Sequence, residues 1–316
     1  VGRYIVRRVI ALFITLFIII SLFFVIQRMQ PGGPFSGAGG QNPLLRERLI
    51  KKYNLDKPII QQYTKYVSDM FRGEFGESIK VKPGVPVFRI IKEKLPITML
   101  INILSALLLL PVGVFFGTIA AIKKNTWIDH VIQIMVILFI SVPSFVVAAL
   151  LQYFLAFKLG WFPIRLSNDT VLNLSKLHSM VLPILASTFG GVATITRFMR
   201  SELGEQMNAD YMLLAKTKGL NKVQALFRHA LRNAFVPLLP IFLSYVIFLF
   251  GGSIVIENIF GVPGMGSTNI EAINTMDYPL STALNAMYTF ISLIFTLMID
   301  LLYGVVDPRI RMGGKK

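Results

Sequence analysis

An all-α integral membrane protein with six transmembrane helices is the fold class this sequence predicts, and three observations predict it. Hydrophobic residues fill 54% of the 316 positions and charged ones only 15%, with a mean hydropathy of +0.65, where soluble domains carry about 25% charged residues. Six runs of about 18 or more mostly apolar residues recur, the length that crosses ~30 Å of hydrocarbon as a helix. The 32 Lys and Arg, against 16 Asp and Glu, concentrate in alternate connections between those runs. A soluble nucleic-acid binder can be this basic. A soluble chain of this length cannot hide so much apolar surface from water, so the predicted surroundings are lipid and nucleic acid is not a partner.

The first run, Val9 to Ile26, follows Arg3, Arg7 and Arg8. It is too long for a secretory signal and no small-x-small cleavage site follows it, so it reads as a retained anchor. Residues 1–27 are accordingly the N-terminus and first span, and residues 28–97 a long helical connection outside the membrane. Within that connection Leu45, Leu49, Ile50 and Tyr53 recur at helical spacing and Asn54-Leu55-Asp56-Lys57-Pro58 interrupts. Ile59, Ile60, Tyr63, Tyr66, Val67 and Met70 resume the period, which predicts two short amphipathic helices. A glycine-rich extended piece, Gly73 to Ser78, follows. The pair of helices reads equally as a cap on the bundle or as a docking surface.

Residues 98–306 hold the other five spans: Thr98–Ile122, Val131–Phe157, Met180–Met199, Val236–Ile256 and Thr282–Val306. Ser187, Thr188, Gly190, Gly191, Thr194 and Thr196 dilute the fourth, so it is expected inside the bundle, where small residues let helix backbones approach. Pro111, Pro143, Pro183, Pro237 and Pro240 are expected to kink their helices. Setting aside the long first connection, sixteen basic residues lie on one side of the membrane and three on the other. That asymmetry predicts that both termini, including the tail 307–316, and the second and fourth connections are cytoplasmic.

Catalytic and metal motifs are missing from the sequence. There is no G-x-x-x-x-G-K-[ST] phosphate cradle and no G-x-S-x-G elbow, and cysteine does not occur. His130, His178 and His229 lie far apart, without the spacing of a helical metal site. The expectation is a non-catalytic chain with no cofactor of its own. Asp300 is the one acidic residue placed clearly within a span, with Arg197 or Arg200 as its expected partner.

The fourth connection, residues 200–236, is the most informative stretch. Tyr211, Leu214 and Ala215 form an apolar face, Gly219 is a natural stop, and Val223, Leu226, Phe227, Ala230 and Leu231 predict a second amphipathic helix. A basic hairpin on anionic lipid, a DNA-reading helix-turn-helix and a protruding helix that fits a partner's groove are the alternatives.

Ala215 followed by Gly219, then Arg228-His229-Ala230-Leu231-Arg232-Asn233-Ala234 and Pro237, resembles the cytoplasmic coupling loop of ABC importer permeases. Further segments agree in order: Arg7-Arg8, Pro31-Gly32-Gly33-Pro34-Phe35, Asn54 to Pro58, Gly73 to Gly76, and Val142-Pro143-Ser144-Phe145-Val146-Val147. Glu257 to Gly266, Asp277-Tyr278-Pro279 and Asp307-Pro308-Arg309-Ile310-Arg311 complete the series. Together they are similar to the B-type permease subunit of the oligopeptide/dipeptide (peptide/nickel) transport family, closest to the oligopeptide branch.

The resemblance implies a type I importer permease in a bacterial cytoplasmic membrane that forms half of a peptide pathway, with spans two to five lining it, and works by alternating access. It implies a second, C-type permease subunit, two ATPase subunits carrying ATP and magnesium, an extracytoplasmic peptide-binding protein and a peptide substrate. Asp210, Tyr211, Leu214, Ala215, Lys216, Lys218, Gly219 and Arg228 fall in the ATPase-coupling loop. Gly261, Pro263, Gly264 and Gly266 form a loop at the outer mouth, or a plain Gly/Pro turn. The importer loop begins Glu-Ala-Ala, whereas this chain has Leu213-Leu214-Ala215. A stand-alone secondary transporter or channel is the alternative function, against which the scarcity of intramembrane charge and the lack of an inverted repeat both weigh.

Overall fold

The computed structural model describes residues 2–31, 33–35, 43–169 and 171–306. Gly32 and the Asp307–Arg311 motif with the rest of the tail lie outside them, as do the side chains of Leu45 and Leu49. In order the helices are α1 (Gly2–Met29), α2 (Pro43–Lys52), α3 (Ile59–Phe71), α4 (Val87–Ile122), α5 (Trp127–Ser141) and α6 (Ser144–Leu151). Then come α7 (Leu174–Met207), α8 (Asp210–Thr217), α9 (Lys222–Ala225), α10 (Leu231–Gly251), α11 (Ile254–Phe260), α12 (Met265–Asn274) and α13 (Tyr278–Val306). π-Helical turns extend α6 over Gln152–Lys158 and join α9 to α10 over Leu226–Ala230. Apart from one antiparallel bridge, Glu77 with Pro86, the described residues carry no β-structure.

Among the described residues five helices are long and apolar enough to cross a membrane: those at Val6–Met29, Val87–Ile122, Leu174–Met207, Lys222–Gly251 and Tyr278–Leu301. The third predicted span is a bent pair of helices, broken at the proline expected to kink it. Instead of one helix over Val131–Phe157, α5 and α6 meet at a bend of 100°. Val142 is extended there (φ −82°, ψ 121°) and Pro143 precedes the first turn of α6. Proline disfavours the helical conformation of the residue before it, so Val142 ends one helix and Pro143 starts the next. The predicted fifth span, Val236–Ile256, also needs correcting, because α10 stops at Gly251. Gly252 takes φ +63°, and Ile254–Ile256 belong to α11. Pro111, Pro183, Pro237 and Pro240 stay within their helices.

The chain forms two compact units, Val1–Pro96 with Pro263–Leu297, and Ile97–Val262 with Met298–Lys316. In the first, α2 and α3 confirm the two predicted short helices. Ile59 and Ile60 are exposed nonetheless, while Tyr63 and Tyr66 pack on Phe24 of α1 with ring centroids 5.4 Å apart. Burial pushes the Tyr66 phenol above its ordinary pKa.

The segment after α3 folds back on itself around Asp277, which is fully buried. Its carboxylate accepts the Ser78 hydroxyl and the backbone N–H groups of Ile79, Lys80 and Val81 at 3.0–3.1 Å. Successive N–H groups aimed at one point form a nest for negative charge. The Ser78 Oγ accepts the Lys82 N–H in turn, at 2.9 Å. Gln27 of α1 bonds both Ser281 and Thr282 of α13, tying these two helices by side-chain amide.

The second unit is organised on α7. As the composition of the fourth span predicts, half of its apolar window is buried, against 11–22% for the other spanning helices. Gly113 and Gly117 of α4 sit directly on it. A Cβ at Gly113 would lie 2.6 Å from the Ile195 Cβ, and one at Gly117 2.6 Å from the Met199 Cβ and 2.8 Å from the Thr196 carbonyl. This is small-xxx-small packing, in which a missing side chain becomes backbone contact. The Thr196 hydroxyl donates across it to the Gly113 carbonyl at 3.2 Å.

Two measurements test these contacts. Gly117→Leu should overpack the α4–α7 contact by about 1–3 kcal/mol and lower the melting midpoint of the detergent-solubilised protein. Gly204→Ala, where a Cβ meets nothing within 4 Å, should hold or raise it; equal midpoints for the two variants would contradict the close approach. Asp277→Ala strands three backbone donors, and limited proteolysis between residues 76 and 86 should accelerate severalfold relative to the parent, with an unchanged rate contradicting the nest.

Candidate functional site

The connection that closes α7 and opens α10 is built from caps. Asn208 ends α7 with its side-chain amide on the Gly204 carbonyl at 2.8 Å. Asp210 then opens α8, its negative charge in the first turn where the helix dipole favours it. The Tyr211 hydroxyl donates to the Gln206 Oε1 at 2.7 Å, bracing α8 against the end of α7.

Gly219 stops α8 as predicted, and at φ +87° it takes a conformation that side chains disfavour. The Leu220 N–H reaches the Ala215 carbonyl at 3.2 Å and the Gly219 N–H the Lys216 carbonyl at 3.0 Å, the paired bonds of a Schellman ending. Two residues later Asn221 and Gln224 form a reciprocal capping box at 2.8 and 3.2 Å, which starts α9.

The faces differ from the expected ones. Met212 and Ala215 turn inward with Ala225, Leu226 and Ala230, and pack with Ile195, Met199 and Leu203 of α7 in one cluster. Tyr211 is half-buried beside them, but Leu214 is 56% exposed. An eight-residue helix is too short for hydrophobic period to fix its phase, so the inward face falls on Met212, not Leu214. Val223 and Phe227 are likewise exposed, and the second amphipathic helix is continuous with the fifth span through the π-turn. Leu213, Leu214, Val223 and Phe227, all 56–62% exposed, therefore form an outward apolar set. Asp210, Lys216, Lys218, Lys222 and Arg228 are exposed around it.

Near the same end of α7, Arg200 grips Asp129 of α5 through Nε at 2.6 Å and Nη2 at 2.7 Å. Asp129 is 1% exposed and also accepts the Asn125 N–H at 2.9 Å. Arg200 thus belongs to Asp129 and not to Asp300, and the Arg197 guanidinium lies over the Phe198 ring. Sequence reasoning passed over Asp129 because it sits just before an apolar run beside His130. Its first-turn position gave no sign of its depth.

Of the predicted outer-mouth residues, Gly261 ends α11 at φ +63° with the Arg165 side chain lying on it. Gly264 caps α12, its N–H on the Ser267 Oγ at 3.1 Å and its carbonyl accepting the Thr268 hydroxyl at 2.7 Å. Gly266 is buried inside α12. Pro263 lies in the turn between α11 and α12. No three His, Asp or Glu side chains among the described residues gather where a metal would bind.

Comparison with known proteins matches most of the chain. The family described as binding-protein-dependent transport system inner membrane component matches residues 113–312, and its N-terminal counterpart matches residues 1–102. The chain is 37% identical over 314 residues to the dipeptide transport system permease protein DppB of Lactococcus lactis subsp. cremoris, covering 98% of this chain and 99% of the relative. It is 33% identical to the oligopeptide transport system permease protein AppB of Bacillus subtilis and 33% identical to OppB of Salmonella typhimurium, each covering 98% of this chain and 99% of the relative. In fold it is similar to a chain of the inward-facing MetNI methionine ABC transporter, with a TM-score of 0.55 at 15% identity, over 70% of this chain and 97% of that one.

The buried pair predicts a non-additive double substitution. Arg200→Met alone strands the Asp129 carboxylate and should cost about 3 kcal/mol or more, whereas Arg200→Met with Asp129→Asn should recover part of the loss. Melting of these two variants and of Asp129→Asn alone, each against the parent, reads this, and a double variant no better than Arg200→Met would contradict the pairing.

Proposed function

The chain belongs to the family of binding-protein-dependent transport system inner membrane components, and from that premise we propose how its parts serve the permease subunit of a peptide ABC importer. The stand-alone carrier is set aside by the same membership and by the peptide permeases it resembles. In this reading residues 208–230 receive an ATPase subunit on the cytoplasmic side, where the basic residues concentrate. The observation that carries it is the outward apolar set Leu213, Leu214, Val223 and Phe227 on a doubly capped support.

Such a surface transmits force because its underside is not free to slide. Met212 and Ala215 share one cluster with Met199 and Leu203, so displacing α8 displaces the end of α7. ATP and magnesium act on the ATPase partners, and closing of those partners favours one of two permease arrangements. Only a difference in binding between the two arrangements moves the equilibrium. At the position where the importer loop carries Glu, this chain presents Leu213, so the contact is an apolar knob in a groove ringed by charge. Lys216, Lys218 and Arg228 steer the approach and Asp210 fixes the start of the helix.

The remaining assignments follow the same premise. Residues 28–97 face the peptide-binding protein outside, residues 98–306 form half of the pathway beside a second permease subunit, and both termini lie in the cytoplasm. The loop with Gly261, Pro263, Gly264 and Gly266 lies on the outer side.

Leu214→Asp with Phe227→Asp should reduce recovery of ATPase subunits with the affinity-purified permease by about tenfold or more, since a carboxylate buried in a contact without a partner costs several kcal/mol. Lys216→Glu with Lys218→Glu should weaken the complex in a salt-dependent manner. Undiminished co-purification of the ATPases with both variants would overturn the docking assignment.

A further inference from the structure

Within the second unit a cleft of about 330 Å³ opens between α4, α6, α7 and α10. Its lining includes Asn102, Ser105, Ser144, Ser187, Thr194 and Tyr245, and no Asp, Glu, Lys, Arg or His. Both interruptions of spanning helices reach it. Ser144 follows the break at Val142–Pro143, and Gly252 and Ser253 form the break between α10 and α11. Non-helical backbone at membrane depth is tolerated only where protein buries it or where it lines a watery cavity. Two breaks converge on this open, polar-lined cleft, the second of those situations.

The hydroxyls show what it prefers. Ser187 donates to the Pro183 carbonyl and Thr194 to the Gly190 carbonyl, both at 2.8 Å and both one turn back along α7. Their protons are committed to the helix, and their lone pairs are left to accept from the cleft. The Ser105 Oγ is buried there with no hydrogen-bond partner, able to donate or accept. Gly190 borders open space in the cleft, since a Cβ on it would meet nothing within 4 Å.

We propose that this cleft is the substrate-facing wall of the pathway and that it holds an extended peptide by backbone N–H groups, without reading side-chain charge. The inference rests on the peptide-importer function above and adds the chemistry of the contact. A fixed charge in a site of low dielectric would attract one class of side chain and reject the opposite one. Neutral hydroxyl oxygens replace part of the water shell of any peptide's amides, whichever side chains it carries.

The test is uptake of Ala-Lys-Ala and Ala-Glu-Ala into proteoliposomes holding the complete transporter, with the binding protein saturated by each peptide. Thr194→Lys should lower uptake of Ala-Lys-Ala relative to Ala-Glu-Ala by about tenfold against the parent ratio, and Thr194→Glu should shift the ratio the other way. Thr194→Val with Ser187→Ala, which removes the acceptor oxygens without adding charge, should slow both peptides by one common factor. Co-purification of the partner subunits at parent yield reports that each variant folds. If the charged variants alter both peptides equally, or neither, the wall assignment is overturned while peptide import stands. If the parent complex hydrolyses ATP but takes up neither peptide, the functional reading itself falls.

Discussion

The helix α7 is the most deeply buried of the spanning helices, and much of the second unit follows from that constraint. Its run of Ser, Thr and Gly from Ser187 to Thr196 offers hydrocarbon little apolar surface, so stability requires neighbours around it. Gly113 and Gly117 bring α4 within backbone distance, Arg200 binds α5 through Asp129, and Ile195, Met199 and Leu203 meet the residues of the 208–230 connection. A helix held in this way moves as part of its surroundings. The small and polar residues that make it a poor lipid-facing helix also give the cleft its hydroxyls.

Two buried carboxylates show different solutions to one problem. Asp129 is neutralised by a guanidinium with ideal forked geometry, so its partner's loss leaves an uncompensated charge. Asp277 has backbone and hydroxyl donors from Ser78 to Val81, and its satisfaction depends on the path of that loop. The first ties helix to helix by charge. The second makes the shape of a loop a condition for burying an acid.

Much of this was legible in the sequence. The apolar runs located the spans, the diluted composition of the fourth predicted its burial, and Asn54 to Pro58 separated α2 from α3. Gly219 was readable as a stop because left-handed backbone favours glycine. The rest was hidden for physical reasons. Hydropathy is blind to direction, so a 100° bend inside an apolar run leaves it unchanged, although Val142-Pro143 supplied a local signal. Gly252 carried little warning, and α8 was too short to set its own phase. Gly113 and Gly117 carried no signal of their own in an apolar stretch, because the close approach depends on which residues of α7 they meet.

The outward set of Leu213, Leu214, Val223 and Phe227 has a consequence for the economy of the cell. On the docking proposed above, a copy made in excess of its ATPase partner leaves these side chains in water, where covering apolar surface is favourable by about 25 cal/mol per Å² whatever supplies the cover. On that reading an orphan subunit is adhesive at the place that assembly covers. Chaperones and proteases that recognise exposed apolar residues would then distinguish surplus from complex at that patch, which ties the stoichiometry of the proposed assembly to the chemistry of four side chains.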